Sequence, residues 1–181
     1  MTKRRVGLVH CITGPGKGKT SAAVGMLVRA LGHGCKVCYC SFHKDPRRWG
    51  YGEFKTLQRL GVPCHVLVPD HEHFHAAKQR GEIARESDDA FRRVIREIFP
   101  QSYDLVVLDE ALVSVRDGYA SIGRLEGLIR AKPRRTELVL TGRLNGPIAA
   151  RLECLADYVS CIEKRKHPYD RGVHGRAGIE F

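Results

Sequence analysis

The run Gly14-Pro15-Gly16-Lys17-Gly18-Lys19-Thr20-Ser21 limits what this chain can fold into more than any other stretch. An apolar segment, Val6 to Thr13, precedes it and reads as a strand. Behind it, Ala22, Ala23, Met26, Leu27, Ala30 and Leu31 recur at helical spacing. Strand, glycine-rich turn, Gly-Lys-Thr and helix, in that order, are the context of a phosphate-binding loop. Glycines let backbone N–H groups converge on an anion without Cβ clashes. The helix start adds unsatisfied N–H groups and the positive end of its dipole. Lys19 supplies a full positive charge, and the Thr20 hydroxyl is placed to ligate Mg²⁺. The start of the pattern is unusual. Thr13 stands where Gly-x-x-x-x-Gly-Lys-Thr has its first glycine, Gly14 comes one place later, and Lys17 adds a second cation. A glycine-rich turn that binds nothing would not need a strand and a helix on its flanks, so triphosphate binding is the expectation.

A length of 181 residues suits a single domain with its own core, spanning 1–181. No run approaches the length of a membrane span. The apolar stretch behind Met1-Thr2-Lys3-Arg4-Arg5 is short and leads straight into the loop, unlike a signal segment. A cytoplasmic protein is therefore expected. Lys and Arg number 31 against 20 Asp and Glu, a formal charge of +11. Nucleic acid is one explanation of that excess; an anionic small ligand and a generally basic surface are two others. The charges are spread along the chain rather than gathered in a tail, so nucleic acid is not the favoured partner. Seven cysteines in such a chain argue against a disulfide framework. Cys35-x-x-Cys38-x-Cys40 invites a zinc reading, but Cys38 and Cys40 alternate with Val37, Tyr39 and Ser41 in a predicted strand. Neighbours on one strand face do not easily surround a metal, so small buried hydrophobes are the better reading.

Hydrophobic periodicity predicts strands at 5–13, 36–42, 63–68, 104–110 and 137–141, and a last core strand at 158–162. It predicts helices at 19–32, 53–60, 76–98, 119–131 and 146–155. The alternation of strand and helix argues an α/β fold, a mostly parallel sheet with helices on both faces. The stretch from His43 to Gly52 is too long and too polar for a plain connector and reads as a functional loop. His71, His73 and His75 alternate and could ligate a metal in an extended segment; a polar loop entering a helix is the preferred reading. Arg85, Arg92, Arg93 and Arg96 form the solvated face of the helix that follows.

Asp104-Leu105-Val106-Val107-Leu108-Asp109-Glu110 is the second informative motif. Four apolar residues in a row fit a strand buried on both faces. Two carboxylates close it, and ligands of open α/β sheets bind at strand C-termini. An acidic residue there can hold Mg²⁺, directly or through water, opposite the Thr20 hydroxyl. The tail, 164–181, is basic and glycine-containing but ends in Gly178-Ile179-Glu180-Phe181, so it is expected to be ordered and to pack near a ligand or a neighbouring subunit.

With these residues in view, the chain resembles the P-loop type of corrinoid adenosyltransferase, also called ATP:cob(I)alamin adenosyltransferase. The resemblance rests on Thr13 to Ser21, Arg29-Ala30-Leu31-Gly32-His33-Gly34, Asp104 to Glu110 and Leu138-Val139-Leu140-Thr141-Gly142-Arg143. Ala156-Asp157, Lys166-His167-Pro168-Tyr169-Asp170-Arg171-Gly172-Val173 and Gly178 to Phe181 complete it. It implies a RecA-like P-loop NTPase architecture. It also implies an alkylation: Co(I) of a corrinoid, cobalamin or a precursor, attacks C5′ of ATP, and triphosphate leaves. Gly14, Pro15, Gly16, Lys17, Gly18, Lys19, Thr20 and Ser21 would bind the phosphates. Thr20 and Glu110, with Asp109 as helper, would hold Mg²⁺ or Mn²⁺. Lys19, Thr20 and Glu110 are the residues the resemblance makes catalytic, and Arg29 would approach the nucleotide. A reductase delivering electrons for Co(II) to Co(I) and a homodimer are implied as partners. The corrinoid side differs from the family pattern. Its Gly-Phe-Thr-Trp segment is replaced by His71-Glu72-His73-Phe74-His75, leaving Phe74 and Trp49 as candidate pocket walls. Its Gln-Phe-x-Lys-Gly is replaced by Ser41-Phe42-His43-Lys44-Asp45. Two other readings fit the residues: a corrinoid- or nucleotide-binding relative without catalysis, and a P-loop ATPase or kinase acting on a metabolite or nucleic acid.

Overall fold

Strands whose two faces are both apolar must lie inside a sheet that is covered on both sides, and the chain supplies several. The computed structural model describes residues 6–45, 50–70, 77–144 and 146–180, with backbone alone at 77–79. In chain order the elements are β1 (Val9–Thr13), α1 (Lys19–Gly32), β2 (Val37–Phe42), α2 (Gly52–Arg59), β3 (Cys64–Val68) and α3 (Ala77–Arg93). Then come β4 (Leu105–Asp109), α4 (Ala111–Arg116), α5 (Ile122–Ala131), β5 (Glu137–Thr141), α6 (Gly146–Glu153) and β6 (Tyr158–Cys161). The six strands form one sheet in the order β3-β2-β4-β5-β1-β6, every pair parallel.

Side chains alternate across each strand, and this sorts the core into two layers. Val37, Tyr39, Leu105, Val107, Ile12 and Val139 face α1 and α2, where Ala23, Leu27, Phe54 and Leu57 meet them. Cys38, Cys40, Phe42, Val106, Leu108, Leu138 and Leu140 face α3 to α6 and pack on Phe91, Leu112, Leu125, Leu128 and Leu152. The buried cysteines thus serve as small apolar side chains, and all seven are free thiols. Burying each Val or Leu contributes about 1.5–3 kcal/mol, so β4, apolar on both faces, pins the middle of the sheet. Register then aligns the strand ends. Ser41 lies opposite Asp109 and Ile12 opposite Thr141, so β2, β4, β5 and β1 finish at one level.

Several expectations change in detail. The long helix is α-helical only to Arg93 and continues as a π turn, Val94–Ile98, that keeps Val94 and Ile98 both buried. The helix expected from 119 begins at Ile122, where the Ser121 hydroxyl accepts the Arg124 N–H at 3.2 Å. Ahead of it the short α4 occupies 111–116, closed by the N–H groups of Tyr119 and Ala120 donating to the Ser114 carbonyl. β6 is not a core strand: it is the outermost one, paired with β1 alone, and all four of its residues are exposed. Arg85, Arg92 and Arg96 are exposed as expected, whereas Arg93 is half-buried.

The loop after β1 is clasped to the end of β6. Ile162 N–H donates to the Thr13 carbonyl at 2.8 Å, and Gly16 N–H to the Ile162 carbonyl at 2.7 Å. Gly14 sits at φ 103°, and a Cβ there would come 2.5 Å from the Ile162 carbonyl oxygen. Gly14→Ala should therefore cost on the order of 1–3 kcal/mol in urea unfolding at an unchanged m-value, because both the backbone angle and the clasp are lost. A stability within error of the parent would show that the loop is not held in this conformation.

Candidate functional site

The loop and α1 place their polar groups at the level where the inner strands end. Gly18 caps α1, and Ala22 N–H donates to its carbonyl at 2.8 Å. Helix geometry leaves the N–H groups of Lys19, Thr20 and Ser21 without intrahelical acceptors, aimed out of the helix start. Lys19 Nζ curls back and donates to the carbonyls of Gly14 (2.9 Å) and Gly16 (2.8 Å). Burial pushes its ammonium below the ordinary lysine range, partly offset by the negative charge of Glu110. A cavity of about 280 Å³ is lined by Gly16 to Ser21 with Lys44, Tyr51, Glu110, His167, Ile179 and Glu180. A wider groove of about 680 Å³ adjoins it, running along Ser21, Val24, Gly25 and Val28 of α1 toward Gly52, Glu53 and Thr56 of α2.

Strand parity decides where Asp109 points. Leu105 and Val107 face α1, so Asp109, two residues on, faces the start of that helix. It is wholly buried. Its Oδ2 accepts hydrogen bonds from Tyr39 OH (2.8 Å), Lys44 Nζ (2.6 Å) and Thr20 Oγ1 (3.2 Å), and its Oδ1 accepts one from Thr141 Oγ1 (2.6 Å). Burial alone would raise this carboxyl. The Lys44 ammonium and the hydrogen bonds from Lys44, Thr141 and Tyr39 more than reverse that and hold it below the usual carboxylate range. Tyr39 is driven well above the usual phenol range by burial and by the Asp109 charge, so it stays a donor.

Glu110 caps α4 in the left-handed region, φ 60°, a conformation a non-glycine residue keeps only where its surroundings impose it. Its N–H donates to Thr141 Oγ1 at 2.9 Å. Its carboxylate borders the loop cavity and is raised, first by burial and then by neighbouring Asp109. Thr141 thus links both acids, and β5 carries it into place between the loop strand and β4. The C-terminal segment closes one side. Lys17 Nζ donates to the Ile179 carbonyl at 3.2 Å and stands 4.0 Å from the Glu180 carboxylate, which Arg176 also holds.

The sequence candidates are thus distributed unevenly. Gly16 to Ser21 and Glu110 meet in one cavity, and Thr20 touches Asp109. Pro15 is exposed, and Gly14 contributes its carbonyl to Lys19. Arg29 stands away from them. Ten residues along α1 from Lys19, it lines a separate cavity of about 320 Å³ with His10, His33 and Glu137. Trp49 and Phe74, with His71, His73 and His75, lie outside the described residues. Sequence reasoning missed Lys44, Tyr39 and Thr141. The signal for Lys44 was its place just beyond the end of β2, next to the strand that ends in Asp109. Its neighbour His43 turns the other way, with Nε2 2.8 Å from Ser114 Oγ and its ring against Tyr119.

The donor set of Thr20, Asp109 and Glu110 is all oxygen and partly anionic, which fits a hard divalent cation. Among the described residues no group of three or more His, Cys, Asp or Glu forms a cage.

The fold is shared with flagellar accessory protein FlaH from Methanocaldococcus jannaschii. Its crystal structure superposes with a TM-score of 0.56 at 14% identity, covering 87% of this chain and 71% of that one. In sequence the chain is 34% identical over 179 residues to a corrinoid adenosyltransferase of Pseudomonas aeruginosa, covering 99% of this chain and 85% of the relative. It is 35% identical over 180 residues to the corrinoid adenosyltransferase of Escherichia coli, covering 97% and 86% respectively. The family model for ATP:corrinoid adenosyltransferase BtuR/CobO/CobP matches residues 5–181. With the loop, the paired acids and the tail that those residues include, the chain belongs to the ATP:corrinoid adenosyltransferase family.

Proposed function

We propose that this protein transfers the 5′-deoxyadenosyl group of ATP to the cobalt of a corrinoid, cobalamin or a precursor, and releases triphosphate. One observation carries the reading: the phosphate loop and Glu110 share a single cavity in a chain that the family matches from residue 5 to 181. In the reaction the Co(I) substrate donates its electron pair to C5′. A cobalt–carbon bond forms, the C5′–O bond breaks, and triphosphate departs with the bonding pair. Since the nucleophile arrives reduced, the protein need supply little acid–base chemistry. Its work is to hold C5′ in line and to stabilise charge on the leaving group. The N–H groups at the start of α1 and the ammonium groups of Lys17 and Lys19 are suited to that. Gly16 N–H is already committed to Ile162, so the loop's contribution falls on the residues after it. Thr20 and Glu110, with Asp109, would hold Mg²⁺ or Mn²⁺, which when bound would neutralise phosphate charge.

A homodimer belongs to the same proposal, supported by the uncovered β6 edge with its exposed Tyr158 and Val159. So do a reductase that supplies the electron for Co(II) and a cytoplasmic location. Among the described residues, no helix is long and apolar enough to cross a membrane.

Mixing the protein with ATP, Mg²⁺ and chemically reduced cob(I)alamin should yield a light-sensitive adenosylated corrinoid and one triphosphate per turnover. Release of ADP or inorganic phosphate instead would replace this reading with an ATPase or kinase. Lys19→Ala should leave the circular dichroism spectrum unchanged. It should lower ATP affinity by roughly 10–100-fold, the value of a charge-assisted hydrogen bond or two. Undiminished ATP binding in that variant would remove the loop from the site.

A further inference from the structure

Lys44 is a strongly engaged residue of the site that the transfer reaction does not use, and unlike Tyr39 and Thr141 it carries a full positive charge. Its side chain is 14% exposed, and its ammonium lies 2.6 Å from Asp109 Oδ2 and 2.9 Å from Thr20 Oγ1. Glu53 Oε1 stands 3.9 Å away, and the Tyr51 ring covers it from 5.4 Å. It also borders both the loop cavity and the adjoining groove. The Thr20 hydroxyl and the Asp109 carboxylate are two of the three oxygen donors that, with Glu110, would hold a divalent cation in this site. The ammonium already takes a lone pair from Thr20 and from Asp109.

We propose that Lys44 is a resident counter-ion that competes with the divalent metal for Thr20 and Asp109, so that metal binds only together with a polyphosphate. This rests on the ATP-and-metal reading given above. A hard divalent cation holds oxygen ligands at about 2.1 Å. A metal and an ammonium sharing the same hydroxyl and the same carboxylate oxygen would lie within a few ångströms, and their like charges repel strongly in a site shielded from water. One of them must leave. When phosphate oxygens fill the cavity it borders, Lys44 can exchange one anionic partner for another, whereas Glu53, already 3.9 Å from the ammonium, offers no new one. Without nucleotide, a metal taking those oxygens would leave the largely buried ammonium beside a second positive charge and without its two closest acceptors. The lysine therefore makes metal entry conditional on the substrate and keeps the nucleotide-free site from holding a metal ion in an unproductive state. In this role Lys44 is a positioning residue that acts through Thr20 and Asp109.

Equilibrium dialysis of the full chain against Mn²⁺, with the metal read by electron paramagnetic resonance, tests this with and without ATP. The parent protein should bind Mn²⁺ at least about tenfold more weakly alone than with ATP. Lys44→Met should bind Mn²⁺ alone at least about tenfold more tightly than the parent, because the competing charge is gone. Lys44→Arg keeps the charge and should behave as the parent does without nucleotide. Equal Mn²⁺ affinity of the parent with and without ATP would overturn the proposal, a result that does not depend on any variant folding. So would a folded Lys44→Met no tighter than the parent, or a Lys44→Arg as tight as Lys44→Met. If the parent binds ATP yet retains no Mn²⁺ with it, the metal site itself is misassigned, and that outcome is distinct from a failure of the competition alone.

Discussion

A carboxylate without access to water sets the geometry of this site. Desolvating an unpaired carboxylate costs several kcal/mol even after the protein relaxes, so Asp109 is tolerable only with donors around it. It has four, and they come from four places: Thr20 from the start of α1, Tyr39 from β2, Lys44 from beyond the end of β2, and Thr141 from β5. Each is a hydrogen bond to a charged group, worth about 1.5–3 kcal/mol, so no single one balances the burial and the set does. The price of ionising Asp109 thus becomes a constraint on register: β2, β4, β5 and the start of α1 must end together for the four donors to arrive.

The two acids at the end of β4 are treated differently by the same surroundings. Asp109 points into the α1 layer and is held ionised by its donors. Glu110, one residue later, has left the strand, takes a left-handed backbone to begin α4 and turns its carboxylate to the loop cavity. Burial and the Asp109 charge both raise Glu110, so it gains from a cation in that cavity more than an exposed glutamate would. The loop shows the same economy of charge. Lys19 rests against two carbonyls of its own loop, and Lys17 against the carbonyl and carboxylate of the C-terminal segment. Both ammonium groups are thus held in place by neutral carbonyls or by a carboxylate at the limit of ion-pair distance.

Legibility in the sequence followed the range of the interactions involved. Periods of two and of 3.6 residues are local, and they placed β2, β4, β5 and α1 within a residue or so. They failed where neighbours decide. Tyr158 to Cys161 has the composition of a core strand, but parallel order puts it outermost, and all four of its residues are exposed. Residues 111–116 are apolar but for Ser114 and Arg116 and too short for a period to declare itself, so α4 went unseen, although all but one of its residues are buried. Val94 and Ile98 suit a plain helix by spacing, and only packing on the sheet brings in the π turn.

The chain by itself determined the glycine-rich loop between β1 and α1, the acidic end of β4, the parallel α/β class and the family. All of these rest on residues close together in sequence, where backbone geometry and side-chain chemistry are fixed by near neighbours. Tertiary structure alone decided that Tyr39, Lys44 and Thr141 belong to the site and that Arg29 lies at the far end of α1 with His10 and Glu137. The physical reason is that sheet order has no local signature. Asp109 and Thr20 are 89 residues apart, and Asp109 and Lys44 are 65 apart. Which of the many hydroxyls and ammonium groups in between reaches a buried carboxylate depends on which strands become neighbours and at what register.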